Sequence, residues 1–385
     1  MDRPGITAGL MKVLAAEGVE LYDVEQVVVR GRLTLGLLIA VPEGRSTIKN
    51  LLFHAWQAGL DIDFEVVEDA PPERGVETVV TVIGPGVGPA AFGAVAQAIA
   101  DAGGNIERIS RLSRYPVVSY EIGVRGGDPV RIRADLSAVA VDHGVDVAVQ
   151  PEGLTRRAKR LVVLDVDSTL VQDEVIDLLA AEAGVKAEVA EITARAMAGE
   201  LDFAEALAER VRRLAGLDEL ALERVRRRIR LTPGARTFIR TLQRMGMKTA
   251  IVSGGFSVFV DRIAEDLGVD RAVANDLEIE GGRLTGRIIG PVVDRERKAA
   301  ILREVAAEQG IPLDQVVAVG DGANDVEMLA TAGLGVAFNA KPAARDAADT
   351  SLSVPYLDAI LFLLGVRRDE VDESEPVPVD GLPPV

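Results

Sequence analysis

From residue 160 onward, short apolar runs alternate with longer stretches of helical period. The apolar runs Leu161–Asp165, Lys248–Ser253, Arg271–Ala274, Val316–Gly320 and Leu334–Phe338 have the length of strands. Their alternation with helices predicts an α/β domain on a doubly wound parallel sheet, spanning residues 158–366. In such sheets ligands bind beyond the carboxyl ends of the strands, and the polar residues of this half cluster there. A helical insert breaks the alternation after the first strand. It reads as Glu174–Ala183, Ala187–Ala198, Asp202–Leu214 and Asp218–Arg230. A cap over residues 174–230 that closes on the strand ends fits this position.

The first 150 residues carry a different and repeated pattern. After Gly5 comes the helix-like LMKVLAAEGVELYDVEQ, followed by the strand-like VVVRGRLTLGLLIAV. After Gly86 and Gly88 comes AFGAVAQAIADAGGNIERISR, followed by VVSYEIGV. Each copy has a second helix, at Ser46–Gly59 and Pro129–His143, and each first helix stops at a glycine, Gly18 or Gly103. The order suits two α+β ferredoxin-like βαββαβ units, residues 1–70 and 77–150. The first copy has no room for a leading strand: either the start site is late, or the strand comes from elsewhere, such as a partner chain. The Pro-rich EDAPPERGVE, Glu68–Glu77, links the copies, and Glu152–Arg160 leads to the α/β domain. The acidic, Pro-rich end, residues 367–385, is expected to be disordered.

Charge and composition remove several classes. The net charge of −17 argues against nucleic acid and against an anionic membrane surface. Without cysteine there is no disulfide, thiolate site or cysteine nucleophile. The two histidines, His54 and His143, stand apart from any acid–base constellation. The start MDRPGITAGL lacks a signal-peptide layout, and the apolar run Ile360–Val366 is too short to span a membrane. A soluble, cytoplasmic protein is expected.

Four signals in order carry the chemistry. The first is Asp165–Val166–Asp167–Ser168–Thr169 at a strand end. Two carboxylates so placed suit phosphoryl transfer, one attacking phosphorus and the other handling the leaving-group proton. Alone, the segment could equally be a turn capping the next helix. The second is Ser253–Gly254–Gly255, a hydroxyl and bare N–H groups able to hold phosphate oxygens. The third is Lys298, opening a helix over Glu296–Gln309 and able to neutralise a phosphoryl group; the chain holds only seven lysines among 43 basic residues. The fourth is VVAVGDGANDVEML, with Asp321, Asn324 and Asp325, whose hard oxygens suit Mg²⁺. Within the cap, Glu174 and Arg210 form a pair able to grip a zwitterion, and Phe203 lies seven residues before Arg210 on one helix face. Arg210 also adjoins Arg212 and Arg213, so a solvated basic face is the competing reading.

Together the four signals resemble the haloacid dehalogenase superfamily, with the set DxDST, SGG, K and GDGxND between Arg160 and Val366. That resemblance implies that Asp165 attacks phosphorus to form an aspartyl-phosphate and that Asp167 is the acid and base. Ser253 and Lys298 then hold phosphoryl oxygens. Mg²⁺ falls to Asp165, Asp321 and the backbone carbonyl of Asp167, with Asn324 and Asp325 orienting those ligands. DVDSTLVQDEVID, AMAGELDFAEALAERVRRLAGL, GFSVFV and NDLEI narrow the likeness to the phosphoserine phosphatase family. It implies that Glu174 meets the substrate ammonium, Arg210 its carboxylate, and Met197 and Phe203 an apolar wall, with Gly254, Gly255 and Asn324 also contacting substrate. DRPGITAGLMKVLAAEGVEL resembles the opening of ACT domains. That implies an amino-acid effector, most simply L-serine, near Gly18 and Gly103, and a homodimer through these modules. Two alternatives remain: another small ester such as phosphothreonine, or an amino-acid sensor with a silent catalytic half.

Overall fold

A computed structural model describes residues 4–29, 31–42, 46–67, 75–197 and 200–372. The chain divides into two compact units, Met1–Glu73 and Arg74–Val385. The first contains α1 (Ile6–Ala16), β1 (Glu20–Val29), β2 (Arg32–Ala40) and α2 (Thr47–Ala58). β1 and β2 pair antiparallel from Glu20 opposite Ala40 to Val29 opposite Arg32. α1 ends as expected of a glycine stop: Gly18 has φ 67°, and Val19 N–H returns to Leu14 O at 3.2 Å. Among the described residues no strand precedes α1. Residues 61–67 follow α2, where a βαββαβ unit over 1–70 would place its closing strand, and join no ladder.

The second unit shows why. It opens with β3 (Thr78–Gly84), α3 (Pro89–Asp101), β4 (Gly104–Ser113), β5 (Val118–Gly126), α4 (Pro129–His143) and β6 (Asp146–Pro151). The antiparallel sheet runs β4-β5-β3-β6, so the closing strand pairs with the leading one. The first copy has no described counterpart of β3 for its closing segment to pair with. In the second copy α3 and α4 cover one sheet face, around Val80, Val82, Ile99, Ile122 and Leu136. From the other face Ile83, Leu112, Val117 and Ala148 enter the core of the C-terminal domain beside Leu352, Val354 and Ile360.

The chain then passes through α5 (Leu154–Arg157) into β7 (Leu161–Leu164). Four cap helices follow: α6 (Val175–Glu182), α7 (Lys186–Met197), α8 (Phe203–Arg213) and α9 (Glu219–Arg226). α10 (Ala235–Arg244), β8 (Lys248–Phe256), α11 (Ser257–Leu267), β9 (Arg271–Glu280), β10 (Arg283–Ile289) and α12 (Arg295–Glu308) come next. Last are β11 (Val316–Gly320), α13 (Val326–Thr331), β12 (Leu334–Phe338), α14 (Pro342–Ala347), β13 (Thr350–Leu352), α15 (Ile360–Leu363) and α16 (Arg368–Asp372). The sheet order is β10-β9-β8-β7-β11-β12-β13. It is parallel except for β10, which folds back antiparallel on β9. β7 lies between β8 and β11, so connections leave it to both sides. That switch point is where an open α/β sheet leaves a crevice.

One sequence expectation is corrected here. Residues from 367 do not begin a disordered tail; α16 forms because Val371 is buried and Arg368 pairs with Asp358. Residues 373–385 of that tail lie outside the described residues. No helix among the described residues is long and apolar enough to cross a membrane.

Candidate active site

β7 and β11 are buried along their whole length, which fixes the positions where they end. Those ends deliver Asp165 and Asp321 side by side at the switch point. Residues 166–170 wind one wide turn in which Ser168 takes a left-handed conformation, φ 58°. Such backbone is rare outside glycine and gathers at functional sites. Asp167, in the same turn, accepts from Val175 N–H at 2.9 Å and from Ser253 Oγ at 3.1 Å. Ser253 Oγ in turn accepts from Gly255 N–H at 2.8 Å. A Cβ at position 255 would lie 2.7 Å from Asp167 Oδ2, so bare backbone is required there.

Lys298, in the first turn of α12, is fully buried and donates to Asp165 Oδ1 at 2.6 Å and Asp325 Oδ1 at 2.7 Å. Asp325 Oδ2 accepts the N–H groups of Asp321 at 3.2 Å and Gly322 at 3.0 Å. Both its oxygens are thus engaged, and a Cβ on Gly320 would collide with it at 2.5 Å. Asp165 Oδ2 receives no hydrogen bond among the described residues. Oxygens of Asp165, Asp321 and Asp325 lie within 4.8 Å of one another. This all-oxygen, carboxylate set fits a hard divalent cation such as Mg²⁺, with Asp165 and Asp321 the two whose oxygens are least engaged.

The electrostatics follow from burial. Desolvation raises the Asp165 carboxyl well above its usual range; Asp325, Asp321 and Asp167 add to this and Lys298 opposes it. Burial, helped by Glu174, lifts Asp167 to about 6, and burial lifts Asp321 to about 6. A carboxyl near 6 suits an acid–base group at neutral pH. Burial pulls the Lys298 ammonium down, yet Asp165 and Asp325 more than offset that, so it stays charged.

The cap closes a cavity of 610 Å³ over these groups. α8 begins with a capping box, Asp202 with Glu205, which sets Phe203 at its first position and Arg210 two turns on. Phe203, Glu174 and Arg210 all line the cavity, as do Gly254, Gly255 and Asn324. A Cβ on Gly254 would meet the Phe203 ring at 3.2 Å. Glu174 accepts from Ser168 Oγ at 3.0 Å, and Arg210 donates to Ala206 O at 3.3 Å. Burial lowers the Arg210 guanidinium, while Glu174, Asp177 and Asp167 hold it up. Ser253 and Lys298 do not line the cavity themselves; each lies buried behind a lining carboxylate, Ser253 bonded to Asp167 and Lys298 to Asp165. Met197 ends α7, and its side chain lies outside the described residues. Gly18 and Gly103 belong to different units, each at the end of its own helix. Two charged lining residues have no role assigned from the sequence: Asp177, the last residue of DVDSTLVQDEVID, and Lys341. Asp177 sits one turn beyond Glu174; Lys341 follows β12, and its only sequence signal is the scarcity of lysine.

Comparison with known proteins agrees with this geometry. The haloacid dehalogenase-like hydrolase family matches residues 162–330, and ACT domain families match 1–65 and 77–150. The phosphoserine phosphatase of Streptomyces coelicolor is 51% identical over 378 residues, 97% of this chain and 92% of that protein. A solved probable phosphoserine phosphatase of Vibrio cholerae, in unliganded form, is 35% identical. It covers 78% of this chain and 89% of its own, with a TM-score of 0.61. A solved phospho-aspartyl intermediate analogue of phosphoserine phosphatase is 45% identical over 53% of this chain and 98% of its own, at TM-score 0.51. By this full-length identity and the matching domains, the chain belongs to the phosphoserine phosphatase family of haloacid dehalogenase-like hydrolases and carries two ACT domains ahead of the hydrolase domain.

Proposed function

We propose that the chain hydrolyses O-phospho-L-serine to L-serine and phosphate, the last step of serine biosynthesis, in the cytoplasm. The observation that carries this reading is one cavity with Asp165 and Asp167 on its floor and Glu174 and Arg210 in its cap. A phosphate at the floor would leave the ammonium to Glu174 and the carboxylate to Arg210, against an apolar wall of Phe203 and Met197.

In the mechanism, Asp165 Oδ2 attacks phosphorus and an aspartyl-phosphate forms. Asp167, held by Ser253 and Val175 N–H, gives its proton to the departing serine oxygen. It then takes a proton from the water that cleaves the intermediate. Ser253, the N–H groups of Gly254 and Gly255, Asn324 and Lys298 hold the phosphoryl oxygens. Mg²⁺ would be held by Asp165, Asp321 and the carbonyl of Asp167, with Asn324 and Asp325 orienting them; it supplies charge neutralisation at phosphorus. The phospho-aspartyl intermediate analogue solved for a phosphoserine phosphatase at 45% identity supports the covalent route.

The test is phosphate release from O-phospho-L-serine with and without Mg²⁺, beside phosphothreonine, a sugar phosphate and an aryl phosphate. Metal-dependent preference for phosphoserine is expected. Turnover of the aryl phosphate alone would discard the substrate and keep the chemistry. Asp165→Asn should abolish turnover with the fold intact. Arg210→Ala should raise KM far more for phosphoserine than for the aryl phosphate. A phosphothreonine preference is the competing outcome, since one methyl changes affinity by only ~1–3 kcal/mol. The silent-sensor alternative lacks support, because every expected catalytic side chain is present. For the ACT domains the reading is feedback by L-serine near Gly18 and Gly103, in a homodimer. The exposed β1 side chains Leu21, Tyr22, Val24 and Val27 support a partner there. Calorimetry on the full chain with L-serine tests the effector; no binding and no inhibition removes it.

A further inference from the structure

Lys341 has no part in the proposed reaction. It closes the turn Asn339–Ala340–Lys341 between β12 and α14, and its side chain lines the cavity that holds Asp165. The backbone of that turn is pinned twice. Asn339, left-handed at φ 46°, donates its N–H to Leu352 O at 2.8 Å, and Lys341 N–H donates to Asp321 O at 2.8 Å. The side chain is fixed at its base and exposed toward its tip. It is 60% exposed, with Nζ 3.6 Å from Asp321 Oδ2, too far for a hydrogen bond.

The charge of the cavity is lopsided. Five carboxylates line it: Asp165, Asp167, Glu174, Asp177 and Asp321. The lining cations are Arg210 and Lys341. Lys298 is fully buried and paired with Asp165 and Asp325, so it does not face the solvent from which a ligand enters. Arg210 stands on the cap beside Glu174, at the end suited to a head group. Lys341 stands beside Asp321, at the nucleophile's end. An incoming phosphate dianion, approaching a chain of net charge −17, finds one solvent-facing cation there among the described lining residues. A lysine on a flexible stem binds phosphate as a movable point charge.

We propose that Lys341 captures the phosphate of the substrate: its Nζ turns from Asp321 to a non-bridging phosphate oxygen as the ester enters. No bond is made or broken in this step. The proposal rests on the reading of the chain as a phosphate monoester hydrolase, and it holds whether or not the ester is phosphoserine.

The experiment compares the full chain with Lys341→Gln and Lys341→Arg, using O-phospho-L-serine and p-nitrophenyl phosphate, with inorganic phosphate as inhibitor. Lys341→Gln should raise KM for both esters and the inhibition constant of phosphate together, by about five- to twenty-fold, between an exposed ion pair and a charged hydrogen bond. The effect on kcat should be smaller, Lys341→Arg should recover most of the loss, and the salt dependence of kcat/KM should flatten. Both variants keep the Lys341 N–H, so the melting temperature should hold. A rise confined to phosphoserine would overturn the proposal and assign Lys341 to the head group. A higher Mg²⁺ requirement with KM and phosphate inhibition unchanged would overturn it too, making Lys341 a positioning residue for Asp321. No change would return it to the surface. If the unaltered chain turns over only the aryl phosphate, the phosphoserine reading fails while that ester and phosphate inhibition still test Lys341.

Discussion

The two ACT copies share one pattern in sequence and differ in what covers them. In the second, all seven residues of β3 are buried, one face under α3 and α4 and the other against the catalytic domain. In the first, β1 and β2 form a two-stranded sheet, and Leu21, Tyr22, Val24, Val27 and Val28 are exposed along β1. A two-stranded sheet is marginal alone, since each face needs cover to gain from burial. The second copy is therefore part of the enzyme's fold, whereas the first presents an apolar surface. The pair thus has one member fused to the catalytic core and one whose β1 face is exposed.

The strongest way to break that contrast is at the junction. Arg156, on α5, is buried and pairs with Glu121 of β5 at 2.5 Å and with Glu152 at 3.5 Å. The Gly365 turn of the catalytic domain passes close by, since a Cβ there would lie 3.6 Å from Arg156 Nη2. Arg156→Ala removes the buried cation from Glu121 and Glu152, leaving them only the more exposed Arg108 and Arg157, and should cost about 3 kcal/mol. Melting should fall on the order of 10 °C and carry phosphatase activity with it. If activity survived while only the ACT domain melted, the second copy would be an independent module.

Next in size is a matched pair of truncations. Ile83→Val removes one methylene from a fully buried position shared by both domains and should cost about 0.5–1.5 kcal/mol. Val27→Ala removes more, yet Val27 is 47% exposed on β1, and the change should stay within about 0.5 kcal/mol. Denaturant midpoints of the two variants measure this directly; equal costs would mean that the first copy is covered as well as the second.

The same difference in cover explains what is legible in the sequence. Val316–Gly320 and Leu334–Phe338 form strands as expected, because fully buried parallel strands are continuous apolar runs. β10 does not stand out, because RLTGRII sits at the sheet edge, half exposed and interrupted by a glycine. β13 is too short to register at three residues. Asp165, Asp167, Lys298 and Asp321 are legible because strand ends and a helix start place them, and local sequence marks both. Lys341 is not, since its position depends on the Asn339 turn and on pairing with Asp321 across the sheet. The first copy's unpaired segment 61–67 illustrates the converse: strand-like residues make no strand without a neighbour.

A smaller effect tests the junction through pH. Asp146 of β6 accepts from Ser353 N–H at 2.7 Å and Ser353 Oγ at 2.8 Å. Burial raises its carboxyl above the ordinary 3.8, against the Ser353 and Val354 hydrogen bonds and the Arg345 charge on α14. The folded chain therefore holds this proton more tightly than the unfolded chain does. The resulting stabilisation is complete below the ordinary value and is lost as pH rises through the shifted one. Asp146→Asn keeps both contacts, with the Ser353 hydroxyl switching from donor to acceptor. Its melting temperature relative to wild type should climb from acid to neutral pH. A difference independent of pH would mean that Asp146 is not desolvated at the junction.

The smallest effect on the chain's own fold should come from Trp56. It is 76% exposed on α2, with Phe53 beside it at a ring separation of 6.1 Å. Trp56→Ser should change melting by less than about 0.5 kcal/mol when the chain is dilute. If a second copy covers this face, the indole is a buried anchor in the assembly, and its loss should weaken self-association by about 2 kcal/mol, roughly thirtyfold. Sedimentation over a range of concentrations separates the two quantities. The corresponding helix of the second copy, α4, exposes Val130 and Val141 but no aromatic residue. A weakening equal to that of a change on α4 would place the dimer elsewhere; a weakening unique to Trp56 would assign assembly to the copy whose sheet is incomplete.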